Sequence, residues 1–466
     1  MKPLTNVLSK KLILFTAISI FIFSACQRQI DKGAQQEEIS TAPNNNKGHG
    51  HLQQTKNYSA EVALKWIDMQ LRLFRTNATP IGGLPPQRFY AYSAIALYES
   101  VVPGMPAYQT LSGQLTDMPA MAETLPGYAY HWAACGNAAL AAMTRNFFPN
   151  TSTANKASID SLENALNVAY QTEVNNETFQ RSVNFGKAIA QLIFDWSKTD
   201  GASVANAPYT PEVGTGLWVP TPPALASAFG PYWGNNRLMV AGSLNGSAPP
   251  LPPAYSTNPS SDYYQMVKEV YDISQTLTPE QTATALYYRD NPGFGGGHYL
   301  SIIKQVLEQE LPQLDITAIV FAKTSIAIID AAIGCWKAKY AYNLERPITY
   351  IRNVLGHTTW NPLFPTPNFP EWTSGHAAIA GAVAETLTGF FGNNYQLTNH
   401  TYDYLGMAPR TYTSFYDMAQ DIGDSRVYAG IHYRASCAEG TIQGIKIAQN
   451  INSKLKFSKD YVVSND

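Results

Sequence analysis

Apolar residues in this chain recur at helical spacing over most of its length, and no stretch alternates apolar with polar residues as a half-buried strand would. The run Ala60-Glu61-Val62-Ala63-Leu64-Lys65-Trp66-Ile67 through Phe74 places apolar side chains at i, i+3 and i+4. The same pattern predicts helices over 87–101, 128–147, 154–173 and 177–198, and resumes from Asp262 to about Lys454. Between them, 201–260 is rich in Pro, Gly, Ser and aromatic residues, including Pro220-Thr221-Pro222-Pro223 and Pro249-Pro250-Leu251-Pro252-Pro253. That composition predicts a long ordered excursion. No repeat of solenoid period is present. The expected architecture is one all-α domain over 58–458, made of stacked helices with 201–260 packed on it, followed by a tail at 459–466.

The chain has 466 residues, with 32 basic and 34 acidic side chains and a net charge of -2. Such a balance gives no reason to expect a nucleic-acid partner. Only 14% of the residues are charged, so a local cluster of cations stands out.

The first 25 residues read as a targeting segment. Lys2, Lys10 and Lys11 precede an apolar run from Leu12 to Phe23, too short to span a membrane. It ends in Phe23-Ser24-Ala25-Cys26, which resembles the cleavage box of bacterial lipoproteins, with Phe23 where Leu is usual. The expectation is an exported protein held at the bacterial envelope only by lipid on Cys26; an ordinary secretory peptide is the alternative. Residues 26–57 are polar and aperiodic, as in a flexible tether, and His49 and His51 belong to it. Beyond the leader no uninterrupted apolar run of about 20 residues is expected to span a membrane. Cys135, Cys335 and Cys437 remain, an odd number. A Cys335–Cys437 bridge is conceivable, but buried free thiols are favoured.

Three segments carry the chemistry. In Trp336-Lys337-Ala338-Lys339-Tyr340-Ala341-Tyr342-Asn343-Leu344-Glu345-Arg346-Pro347, two cations stand seven apart, which would place them on one helical face, with Pro347 ending or bending the helix. In Pro370-Glu371-Trp372-Thr373-Ser374-Gly375-His376, a hydroxyl, a Gly and a His precede the apolar run Ala377 to Phe391. Thr or Ser there caps a helix, and free amides at its start favour an anion. In Ser425-Arg426-Val427-Tyr428-Ala429-Gly430-Ile431-His432, a third cation precedes a second His. Each segment alone has a bland structural explanation. Together they supply three fixed cations, a hydroxyl, backbone amides and two histidines, which suit a tetrahedral oxyanion.

These segments resemble the three-part signature shared by vanadium haloperoxidases and type 2 phosphatidic acid phosphatases. Lys339, Arg346-Pro347, Ser374-Gly375-His376, Ser425-Arg426 and His432 match it, over about a fifth of the chain. The resemblance implies the helical bundle of that superfamily. It also implies vanadate as cofactor, with phosphate able to occupy the same site. His432 would bind the metal, and Lys339, Arg346, Ser374, Gly375, His376 and Arg426 would bind the cofactor oxygens. His376 and Lys339 would be catalytic. Two departures stand out. Thr373 replaces the usual Pro, and remains able to cap. Ser436 stands where phosphatases carry an Asp that orients the second His, which weighs against a phosphatase; Glu439 is a substitute for that Asp.

Both haloperoxidases and phosphatases use this cage, so neighbouring residues must choose. Trp336 and Phe369 match the aromatics that shape a halide pocket in haloperoxidases. The stretch Asp290-Asn291-Pro292-Gly293, followed by Gly295-Gly296-Gly297 and His298, is similar to a segment of the bacterial group, and Asp290 is a candidate supporter of Arg426 or His376. His298 has a weaker case, since capping or burial explains it. The expected function is vanadate-dependent oxidation of halide by hydrogen peroxide to hypohalous acid, which halogenates small organic acceptors. Phe369 alone does not establish chloride oxidation, and iodide or bromide is favoured because the lipoprotein leader suggests a bacterial envelope enzyme. The alternatives are a vanadate-inhibited acid phosphatase and a non-catalytic oxyanion-binding lipoprotein.

Overall fold

One apolar helix sets the fold: α9, Leu314–Tyr342, 29 residues long. By length and composition it is apolar enough to cross a membrane, yet 89% of its most apolar window is buried inside the protein. It is not an uninterrupted apolar run, because Asp315, Lys323 and Asp330 fall within it. Lys323 and Asp330 interrupt the run in sequence, but both are absorbed by the core. The Lys323 amine lies 5.5 Å from the Phe390 ring. Asp330 accepts the Met239 and Val240 backbone N–H groups at 2.7 and 3.1 Å.

The computed structural model describes residues 53–77, 85–289 and 297–459. The leader, Cys26, His49, His51 and Asp290 lie outside the described residues. Residues 53–57, within the stretch expected as tether, are packed: Thr55 is buried and donates to Val101 O at 2.7 Å.

Around α9 stand α1 (Glu61–Thr76), α2 (Pro85–Val101), α3 (Trp132–Phe147), α4 (Thr153–Gln171), α5 (Asn176–Ser197), α6 (Asp262–Gln275), α7 (Pro279–Tyr287) and α8 (Gly297–Glu310). After α9 come α10 (Pro347–Asn353), α11 (Gly375–Phe391), α12 (Phe415–Tyr428) and α13 (Arg434–Lys454). The periodic segments thus form helices where expected. Short polar side chains open them: Ser152, Asn175, Ser261 and Ser414 each accept a backbone N–H three residues on, and Thr278 forms a capping box with Gln281. Against the expectation of no strands, β1 (Leu397–Asn399) and β2 (Arg410–Tyr412) pair antiparallel. Three residues each are too few to show alternation in sequence.

Helix α2 packs on α9, α3 and α5, and α11 packs on α9, α12 and α13. The α11–α13 contact is at backbone range. A Cβ on Gly444 would meet Ala378 O at 1.8 Å, and one on Gly381 would meet Thr441 O at 2.3 Å. The first half of α11 is therefore set rigidly against the body of α13.

The excursion 201–260 contains only short 3-10 turns, at Ala202–Val204 and Trp233–Asn235. It is fastened to α9 by Asp330 and, at its middle, by the Tyr340 hydroxyl donating to Phe229 O at 2.7 Å. All three described cysteines are free and buried, as favoured.

Candidate active site

The expected two-turn helical face does not exist, because α9 ends before reaching Arg346. Asn343 takes the left-handed conformation at φ 47° and closes α9. Arg346 is then the residue before Pro347, which opens α10 instead of ending a helix. The chain doubles back, and Lys339 and Arg346 still converge.

Both are completely buried. The Lys339 amine donates to Pro370 O at 3.1 Å and Glu371 O at 2.9 Å. Burial holds it down to about 8, with Arg346 adding to the effect. Arg346 Nε donates to Phe369 O at 2.8 Å and Nη1 to Ile431 O at 2.8 Å. Its Nη2 has no acceptor among the described residues. Arg426, 2% exposed, sits near the end of α12; its Nε donates to Ser425 Oγ at 3.0 Å and its Nη2 to Ala285 O at 3.4 Å.

Ser374 is the N-cap of α11 and accepts the Ala377 N–H at 3.5 Å. Thr373 therefore does not cap. Its hydroxyl donates to Gln443 Oε1 at 2.8 Å. Gly375 packs under the Trp336 ring, where a Cβ would meet Cζ3 at 3.0 Å. His376, partly exposed, follows in the first turn, and its carbonyl accepts the Tyr299 hydroxyl at 2.8 Å.

His432 lies between α12 and α13, 3% exposed. Its Nδ1 is 2.6 Å from Glu371 Oε1, and its Nε2 is 3.2 Å from Arg346 Nη1. Burial first, then Arg346, Lys339, Arg426 and His376, push its pKa well below the usual value. His432 is thus a neutral imidazole at pH 7, with the carboxylate side taken and Nε2 turned toward the cations.

Glu371 is the residue that the motif reading missed. It is fully buried, and burial pushes its carboxyl up to about 7 against the pull of Lys339 and Arg346. It displaces Glu439 as the carboxylate partner of His432, and Ser436 instead faces Glu371. The sequence did carry a signal: Glu371 is the only charged side chain between Arg352 and Glu385.

Trp336 and Phe369 do come together, with ring centroids 5.0 Å apart. The Lys339 amine lies 5.1 Å from the Phe369 ring centroid, and the Arg346 guanidinium 4.8 Å. His298 is buried among Tyr287, Tyr288, Tyr299 and Tyr402, as the blander reading held.

The family description "VCPO second helical-bundle domain" matches residues 319–460, which span all three segments. The vanadium chloroperoxidase of Curvularia inaequalis is 28% identical over 145 residues, 25% of this chain and 24% of the curated protein. The match thus spans about a quarter of that relative. The crystal structure titled as the first bacterial vanadium-dependent iodoperoxidase is similar over 87% of this chain and 98% of that one, at TM-score 0.78 and 29% identity.

The chain belongs to the vanadium haloperoxidase family.

A holo-type bacterial vanadium-dependent chloroperoxidase shares the fold at TM-score 0.61 and 14% identity, over 84% of this chain and 92% of that one. Relatives in the vanadium haloperoxidase family depend on vanadium, and the donors here fit an oxyanion of that metal. The unpartnered Arg346 Nη2 and the buried Lys339 amine both call for negative charge. A single neutral His supplies the one nitrogen lone pair. Among the described residues no group of three His, Cys, Asp or Glu could hold a bare metal ion, so charge and hydrogen bonds to oxygens must do the holding.

Proposed function

We propose that this chain uses vanadate to oxidise iodide or bromide with hydrogen peroxide, releasing hypohalous acid that halogenates small organic acceptors. The observation that carries the reading is the pairing of a cation cage on neutral His432 with an apolar wall of Trp336 and Phe369 at the same Lys339 amine. His432 Nε2 would hold the vanadium. Lys339, Arg346 and Arg426 would neutralise the oxyanion, and Ser374 with the Gly375 amide would donate to its oxygens. Bound vanadate supplies a Lewis-acid centre that activates hydrogen peroxide toward halide. His376, at the exposed mouth of the cage, would take and return the proton of the incoming peroxide. The two aromatic rings would exclude water beside Lys339 and suit a large polarisable halide. The iodoperoxidase relative supports iodide.

A second reading is favoured by Glu371. A carboxylate-paired imidazole is what a nucleophilic His in phosphate-ester hydrolysis needs, so Ser436 no longer weighs against a phosphatase. Paired assays separate the readings. Protein reconstituted with orthovanadate should turn over iodide or bromide with peroxide. Brisk aryl-phosphate hydrolysis with vanadate acting only as inhibitor would sink the haloperoxidase reading, and tight binding without either turnover would leave only an oxyanion carrier.

We also propose export and lipid anchoring at Cys26, on the sequence of the leader. Cys26→Ser should move the protein from the membrane to the soluble fraction and end its labelling by radioactive palmitate. Unchanged membrane fractionation of the variant would refute the anchor.

A further inference from the structure

We propose that Glu371 is the positioning residue for His432: its carboxylate fixes the imidazole so that the Nε2 lone pair faces the oxyanion cage. The inference deepens the proposed function and rests on that reading for the identity of the anion.

Three observations carry it. Glu371 Oε1 is 2.6 Å from His432 Nδ1 and also accepts the Tyr433 N–H at 3.0 Å, so the oxygen grips the ring and the backbone beside it. Arg346 Nη1, which can only donate, lies 3.2 Å from Nε2, so Nε2 keeps its lone pair and Nδ1 carries the proton toward Glu371. The backbone of Glu371 is itself pinned: its N–H donates to Leu344 O at 3.0 Å and its carbonyl accepts the Lys339 amine at 2.9 Å. The neighbouring Phe369 carbonyl accepts Arg346 Nε at 2.8 Å. One extended segment thus sets the register of Lys339, Arg346 and His432 together. The carboxylate comes from 61 residues upstream of the imidazole, not from the turn after it, where Ser436 stands.

Binding of inorganic vanadate and inorganic phosphate to the full-length protein tests this. Vanadate would draw on the Nε2 lone pair, whereas phosphate would be held by the cations and amides alone. Glu371→Ala should weaken vanadate binding about 10- to 100-fold, the usual cost of losing such a partner, and phosphate binding far less. Glu371→Gln keeps an acceptor for Nδ1–H and should stay closer to wild type than Glu371→Ala. Glu371→Ala combined with Ser436→Asp returns a carboxylate from the other side and should recover vanadate affinity.

Equal losses for vanadate and phosphate, with no recovery in the double variant, would show a collapsed cage and overturn the proposal. Wild-type affinity in Glu371→Ala would overturn it too. If Glu371→Ala does not fold, the Glu371→Gln variant and the double variant carry the same comparison. Wild-type protein that binds vanadate but oxidises no halide would refute the proposed function and leave the positioning role standing.

Discussion

His432→Ala is expected to weaken vanadate binding by at least about 100-fold, near 2.7 kcal/mol, and to end halide oxidation. His376→Ala should keep the bound anion and lose roughly 100- to 10,000-fold in turnover, the range for one general acid–base group. The reasoning is positional. His432 is buried, neutral and turned into the cage. His376 is partly exposed in the first turn of α11, next to the Ser374 cap. Vanadate affinity read by vanadium-51 magnetic resonance, beside peroxide-dependent iodide oxidation, separates binding from turnover. Equal vanadate affinity in the two variants would refute both role assignments.

Lys339→Met has the second large effect, and it acts on binding and stability in opposite directions. The Lys339 amine is fully buried and held at about 8, below its ordinary 10.5. A group with a depressed folded pKa stabilises the fold only when the proton is off. Ligand-free protein therefore loses stability as pH falls from about 10.5 through about 8, and bears the whole cost below that. The shift corresponds to about 3 kcal/mol. Arg346, Cys335, Glu371 and Cys437 face the same amine, so the cost is set by the cage as a whole. A bound oxyanion offsets it. Thermal melting should show ligand-free wild type gaining stability between pH 8 and 10, and Lys339→Met losing that slope. Vanadate at about 100 times its wild-type Kd should stabilise wild type by about 2.7 kcal/mol and the variant by clearly less. A vanadate-dependent rise in melting temperature in Lys339→Met as large as in wild type would exclude Lys339 from the cage.

The sequence disclosed the cage well because its parts lie in short, ordered segments. Lys339, Arg346 and Arg426 gather round His432, and the helix starts were written in short polar residues. Local reasoning failed where geometry depends on distant chain. Nothing in Trp336 to Pro347 announces that Asn343 closes α9, since an Asn in the left-handed region looks like any other polar residue. Glu371 pairs with a His 61 residues away, and no spacing rule reaches that far. Its isolation in a charge-poor stretch was the available clue. The apolar character of α9 was hidden by Lys323 and Asp330, whose charges are accommodated only by tertiary contacts.

The excursion 201–260 has a consequence for how such a protein can change. It touches the pocket through Phe229, whose carbonyl receives the Tyr340 hydroxyl and, at 3.5 Å, the Trp336 indole, and whose N–H donates to Asn368 O beside Phe369. All three cage cations and both histidines come from elsewhere, from Lys339 to His432. The excursion is thus a rim without charge chemistry of its own. Substitutions around Ser227–Phe229 reshape what reaches the two aromatic rings while leaving the electrostatics at His432 in place. The two rings themselves stay on the cage's own stretch of chain, so from the excursion only their outer packing can be altered.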